Sequence, residues 1–274
     1  MRFVHQREMM KSTNLLVLLA AIWSAGVIAA ESARIVAAGS LKGAFTELGA
    51  AFEGKEGVPV RFEFAPSGLL RDRLLKGESA DVFASANMEH PQALQDQGMG
   101  SPVRRFARNS LCALASPKLT LNSDTLVDRL LDPSVKLGTA TPKADPSGDY
   151  AFELFARVGN KMPGARERLV AKALTLTGGP TSPPPPKDRS QYGKIVEEGA
   201  ADIFLTYCTN ALQARKEVPV LQIIKVPDDI SVGADYGMTV LGKSEAGARF
   251  TDFVLSPAGQ AILGKHGFST MAGN

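Results

Sequence analysis

Histidine, cysteine, charge of one sign and long apolar runs are all scarce in this chain. Three of its 274 residues are histidine and two are cysteine. His90 and His266, the two histidines outside the N-terminal leader, lie far apart in sequence. A His-based metal site or a Ser-His pair therefore has little to build on, and no nucleophile–base pair is evident. Cys112 and Cys208 can form one disulfide or remain two buried thiols, because sequence spacing fixes no distance between them. The apolar run Leu15–Ala30 spans sixteen residues, short of the ~20 that cross a bilayer as a helix. Arg2, Arg7 and Lys11 precede it and small residues end it, which is the layout of a secretory signal with cleavage expected between Ala29 and Ala33. Met10-Lys11-Ser12 offers an alternative start. Removing three basic residues and Glu8 with the leader takes the net charge from +3 to +1. That balance gives no case for a nucleic-acid partner.

What is present is a strand–helix alternation. Ala33–Ala38, Val58–Phe64 and Asp81–Ser85 read as strands, with helical spacing over Leu41–Phe52, Leu69–Lys76 and Pro91–Gln97. The pattern restarts after Ser110. Strands are expected at Leu111–Ala115, Lys136–Thr139, Leu174–Thr177 and Asp202–Thr206, and helices at Asp124–Leu131, Tyr150–Val158, Arg166–Leu174 and Gln191–Glu198. Repeated βαβ units imply an α/β fold with mostly parallel sheets covered on both faces. The closing segment, Gly237–Leu241 with a helix at Gly259–Gly264, is too small to fold alone. It is expected to return to the first lobe. The predicted plan is a leader (1–30), lobe 1 (31–110), an inserted lobe 2 (111–231) and a return segment (232–274), with two crossovers between the lobes.

In open α/β sheets, ligands bind where strands end and helices begin. Four such turns stand out: Gly39-Ser40, Pro66-Ser67-Gly68, Pro146-Ser147-Gly148 and Asp188-Arg189-Ser190. Each places a hydroxyl or free backbone N–H at a helix N-terminus, which favours an anion. A helix end contributes roughly 0.3–2 kcal/mol to a nearby anion, and each hydrogen bond to a charged group roughly 1.5–3 kcal/mol. Several together reach the ~8–12 kcal/mol of a micromolar-to-nanomolar site, whereas one turn alone does not. Taken singly, a serine before a helix is usually only an N-cap. Recurrence across both lobes is what points to a ligand. Lys42, Asp149 and Cys208 border the same turns, and Asp149 is the residue that can accept a proton from a protonated ligand such as hydrogen phosphate.

Several stretches together resemble the periplasmic molybdate-binding proteins of ABC importers. They are Ala37–Phe45 (AAGSLKGAF), Phe64–Gly68 (FAPSG), Gly77–Ala86 (GESADVFASA), Pro146–Ala151 (PSGDYA), Gly199–Tyr207 (GAADIFLTY), and Ser256–Leu263 (SPAGQAIL) with Gly267-Phe268. The resemblance runs from about Arg34 to Phe268. It implies a type II periplasmic binding fold, two doubly wound lobes joined by two crossovers with the ligand cleft between them. It implies ligand contacts from Ser40, Ser67, the Ser147 turn and the Tyr207 hydroxyl. It implies a tetrahedral oxyanion as ligand, molybdate or tungstate first, an ABC permease with its ATPase subunits as partners, and delivery by a periplasmic monomer. No cofactor, metal cation or catalytic residue is expected. Arg189 departs from the family pattern, falling where a small apolar residue usually donates only its backbone N–H. Turned inward, its planar fork would pair with the anion and shift selectivity toward sulfate, phosphate or a small organic acid. An exported enzyme or a sensor on the same fold is the alternative from another class.

Overall fold

The first strand, β1 (Ala33–Ala38), is apolar at nearly every position and almost wholly buried, as a central parallel strand covered on both faces must be. In the computed structural model, which describes residues 32–271, a single 3-10 turn (Gly39–Leu41) leads from β1 into α1 (Lys42–Glu56). Then follow β2 (Val60–Ala65), α2 (Ser67–Leu75), β3 (Val82–Ser85) and α3 (Glu89–Asp96). The expected leader lies outside the described residues. Strands β2, β1 and β3 pair in parallel. That is the right-handed βαβ arrangement's usual product, and it brings the helix starts of α1 and α2 to one edge of the sheet.

The next strand joins the two halves of the molecule. β4 (Arg104–Ala115) is twelve residues long. Its first part, Arg104 to Ser110, pairs antiparallel with β9 (Gly233–Val240), which itself pairs antiparallel with β3. Its second part, Leu111 to Ala115, pairs instead with β7 (Ile203–Tyr207) and β8 (Gln222–Lys225). Between β4 and β9 lie α4 (Leu126–Leu131), β5 (Leu137–Ala140), α5 (Pro146–Lys161), α6 (Ala165–Lys172), β6 (Leu174–Thr177), α7 (Gln191–Glu197), β7, α8 (Cys208–Glu217) and β8. β7, β5 and β6 are parallel neighbours. After β9 the chain adds α9 (Glu245–Leu255) and α10 (Pro257–Lys265), which pack on α1 and β1 of the first lobe. The two-lobed plan with two crossovers is therefore present, one crossing inside β4 and the other between β8 and β9.

Each lobe has its own apolar support. In lobe 1, Phe45, Phe52, Phe62, Phe106 and Phe250 pack ring on ring, with centroids 5.4–6.1 Å apart. Such tilted and edge-on pairs add ~0.5–1.5 kcal/mol each beyond area burial. In lobe 2, Tyr192, Val196, Phe204, Ala211 and Ala214 fill the space under α7 and α8. Cys112 on β4 and Cys208 at the start of α8 are joined by a disulfide, Cα to Cα 4.8 Å, which closes the question the sequence left open. Among the described residues no helix is long and apolar enough to cross a membrane.

Candidate anion cleft

A cleft of about 1000 Å³ lies between the lobes. Ser40 and Ser67 line it from lobe 1 and Tyr207 from lobe 2, so three of the expected residues do converge. The Ser67 side chain is buried, and its Oγ accepts the Ala86 N–H at 3.1 Å. Ser67 finds no acceptor for its own hydroxyl hydrogen among the described residues, which leaves that hydrogen free to donate into the cleft. Tyr207 comes from the opposite lobe, and its hydroxyl donates to the Ala86 carbonyl at 3.1 Å. Ser40 Oγ lies 2.9 Å from the Tyr236 hydroxyl. Asn109 Nδ2 donates to both Tyr236 Oη (3.3 Å) and Thr209 Oγ1 (2.8 Å). A buried polar path thus runs from Ser40 through the crossover strand β4 to α8.

Burial pushes Tyr207 and Tyr236 well above the ordinary tyrosine range. Both hydroxyls therefore stay protonated, each with a single hydrogen to donate; that of Tyr207 goes to the Ala86 carbonyl in this structure.

Helix starts differ in what occupies them. The turn into α1 has no side-chain cap, and neither does α2 or α8. Residues at all three starts line the cleft: Gly39, Lys42 and Gly43 for α1, Ser67 for α2, Thr209 and Asn210 for α8. The N–H groups there that have no partner are the ones available to an anion; at α2 the Gly68 N–H is already taken by the Ala144 carbonyl at 2.9 Å. In contrast, α5 is capped by Asp145 and α7 by Ser190. The α8 start was not among the expected turns. Its signal, a strand ending in Tyr207 followed directly by Cys-Thr-Asn, is present but lacks the Gly or Pro that marks three of the four expected turns.

Three expectations fare differently. Ser147 is fully buried and does not line the cleft; its N–H and hydroxyl both bond to Asp145 Oδ1, at 3.0 and 2.8 Å. A carboxylate two residues earlier has taken the donors assigned to the ligand. Arg189 stands on the cleft wall but does not reach inward, because its half-exposed guanidinium pairs with Glu197 Oε2 at 2.5 Å. The N–H of Ser190 is likewise engaged, by Glu217 Oε2 at 2.6 Å. Asp149 Oδ1 accepts the Lys143 N–H at 2.8 Å and closes its own loop. Asp145, not Asp149, lines the cleft. The proline-rich stretch Gly178–Asp188 (GGPTSPPPPKD) forms one wall, with Pro183–Pro186 and Lys187 in the lining. Lys42 Nζ of lobe 1 reaches across to the Lys187 carbonyl at 3.4 Å.

Comparison with known proteins bears on the family and the fold. Residues 33–269 match the family described as bacterial extracellular solute-binding proteins. An uncharacterised protein of Pasteurella multocida is 35% identical over 237 residues, which is 86% of this chain and 97% of that one. The molybdate-binding protein ModA of Mycobacterium tuberculosis is 29% identical over 254 residues, covering 88% and 85%. Among solved structures, the periplasmic molybdate-binding protein of Azotobacter vinelandii superposes with a TM-score of 0.69 at 18% identity, covering 86% and 98%. The sulfate-binding protein SubI of M. tuberculosis superposes at 0.70 with 16% identity, covering 88% of each chain. With two lobes on a type II periplasmic binding fold and a family match across nearly the whole described chain, this protein belongs to the bacterial extracellular solute-binding proteins.

Proposed function

We propose that the protein is the extracytoplasmic receptor of an ABC importer and holds a small oxyanion between its lobes. Ser67 and Ser40 grip it from lobe 1 and Tyr207 from lobe 2, with the open starts of α1, α2 and α8 supplying N–H groups. The observation that carries this reading is the convergence of three uncapped helix starts and three hydroxyl side chains on one interlobe cleft. Molybdate and tungstate are the first candidates, because the M. tuberculosis relative is a molybdate-binding protein. The lobe boundaries fall at Ser110/Leu111 and near Ser231, where β4 changes partners and β8 gives way to β9. Delivery to a permease requires no stable dimer, and the mature receptor is a monomer.

Two observations favour a second reading, a different anion. The cleft volume lies at the upper end of the ~300–1000 Å³ range for pockets that hold drug-sized organic ligands. An acidic side chain, Asp145, also stands in its wall. The deciding experiment is calorimetric titration of the leaderless protein with molybdate, tungstate, sulfate, phosphate and small carboxylates. Ser67→Ala and Tyr207→Phe should each weaken the best ligand roughly 10- to 100-fold, the worth of one hydrogen bond to a charged group. Turnover of any ligand during the titration would favour an enzyme instead.

A further inference from the structure

An anion cleft would be expected to exclude carboxylates, yet Asp145 stands in its wall. Oδ1 is occupied by the Ser147 N–H and hydroxyl. Oδ2 accepts no hydrogen bond among the described residues and lies beside Gly178, another residue of the wall. A Cβ built on Gly178 would come within 2.8 Å of that oxygen, and Gly178 has a positive φ of 78°. Only glycine lets the chain pass this close. No Lys, Arg or His nitrogen among the described residues lies within 4.0 Å of the carboxylate. The ionisable groups that face it are Asp149 on the first turn of α5, Tyr192 on α7, Tyr207 at the end of β7 and Tyr236 on β9. None of them is a cation.

Within the receptor reading, on which this rests, we propose that Asp145 sets ligand selectivity by accepting a hydrogen bond from the bound anion, so that each complex holds one proton between Oδ2 and the ligand. An anion with an O–H of its own, such as hydrogen phosphate or an organic phosphate bearing a hydroxyl, meets Oδ2 as a donor. A fully deprotonated dianion presents only acceptors to an acceptor. It binds well only by taking up a proton from solvent, which makes an O–H on the carboxyl or on the ligand; with an O–H-bearing anion no covalent bond is made or broken. Discrimination of this kind is strong because the wrong ligand leaves a buried acceptor facing like charge. Burial independently raises the Asp145 pKa, with the Ser147 hydrogen bonds opposing it and the Asp149 charge adding to it.

The test is isothermal titration of the wild-type protein near neutral pH in two buffers of different ionisation enthalpy, which counts protons exchanged. The probes are molybdate, sulfate, inorganic phosphate and glycerol 3-phosphate. Molybdate and sulfate should either bind with uptake of about one proton or bind at least roughly tenfold more weakly than the O–H-bearing anions. Asp145→Asn keeps a capping side chain; it should abolish the uptake and shrink the discrimination roughly tenfold. Asp145→Ala, checked by its melting curve, should do the same without an amide that can itself donate. Full-strength binding of molybdate or sulfate with no proton uptake overturns the proposal and leaves the receptor reading standing. So does discrimination unchanged in both variants. A wild-type protein that binds none of the four anions overturns the receptor reading and the proposal with it.

Discussion

Ser67 and Tyr207 reach the two polar groups of one residue, Ala86, from opposite lobes. These hydroxyls were legible in the sequence because each sits where a strand meets a helix, a position fixed by local pattern. Asp145 in the cleft wall was not, nor were Tyr236 and Asn109 in the polar path behind Ser40, since their places depend on packing between elements far apart in sequence. Arg189 shows the opposite hazard: a residue singled out by position finds its partner, Glu197, along the neighbouring helix. His90 carries a prediction at this scale. Its Nδ1 lies 3.1 Å from Arg71 Nη1, and its buried Nε2 finds no partner among the described residues. Burial first, then the Arg71 charge, push its pKa down to about 4, with Asp72 partly opposing. The folded-state pKa is thus below the unfolded value of ~6.5. Stability from the neutral ring is complete above about pH 6.5 and is lost as pH falls toward about 4. After allowance for solvent screening the loss is of order 2 kcal/mol. Melting temperature should fall across that window in the wild type and fall less in His90→Gln. Parallel curves would exclude His90 as the source.

Elements with an apolar period or a clear start signal were legible; others were not. Only the second half of β4 reads as a strand, because Arg104, Arg105, Arg108 and Asn109 break the apolar run over the first half. That half is held by pairing with β9, a partner more than a hundred residues away. Strand β8 and the helices α8 and α9 were not anticipated. α8 is short and largely polar, with buried residues only at Thr209, Ala211 and Ala214. Its register is fixed by the Cys112–Cys208 bridge to β4. The bridged residues are 96 apart, so opening the bridge returns a long loop to the unfolded chain. The loop-entropy estimate is ~4–5 kcal/mol, within a usual range of ~2–5. The Cys112→Ala/Cys208→Ala variant should therefore unfold at a clearly lower denaturant concentration. Circular dichroism suits the measurement, because the one tryptophan, Trp23, falls in the expected leader. The bridge also tethers the helix whose open start lines the cleft, so ligand affinity should fall together with stability. An unchanged midpoint would mean that the bridge constrains nothing in the unfolded chain.

At the scale of the whole molecule, the contacts that join the lobes across the cleft are few. The Gly68 N–H at the start of α2 donates to the Ala144 carbonyl at 2.9 Å, and Tyr207 reaches Ala86. Besides the two crossovers, the lobes are joined across the cleft by these bonds, by Lys42 Nζ on the Lys187 carbonyl and by the Tyr207 ring 5.5 Å from that of Tyr236, and in the proposed receptor the ligand supplies the bias toward closure. Gly68 separates closure from folding. A Cβ there would lie 2.3 Å from the Lys143 carbonyl oxygen and 2.8 Å from that of Ala144. Both atoms are backbone of the opposing lobe, and neither can swing aside. In an open molecule the same Cβ would meet solvent, and alanine is a better helix former than glycine by ~1 kcal/mol. Gly68→Ala should therefore leave ligand-free melting temperature equal or slightly raised. Ligand affinity should fall by roughly 5- to 150-fold, corresponding to the ~1–3 kcal/mol cost of overpacking a close contact. Small-angle scattering adds the geometric readout: the wild type should compact when saturated with its ligand, and the alanine variant should compact less at the same occupancy. A variant that binds and compacts like the wild type would show that this contact is not part of closing the cleft.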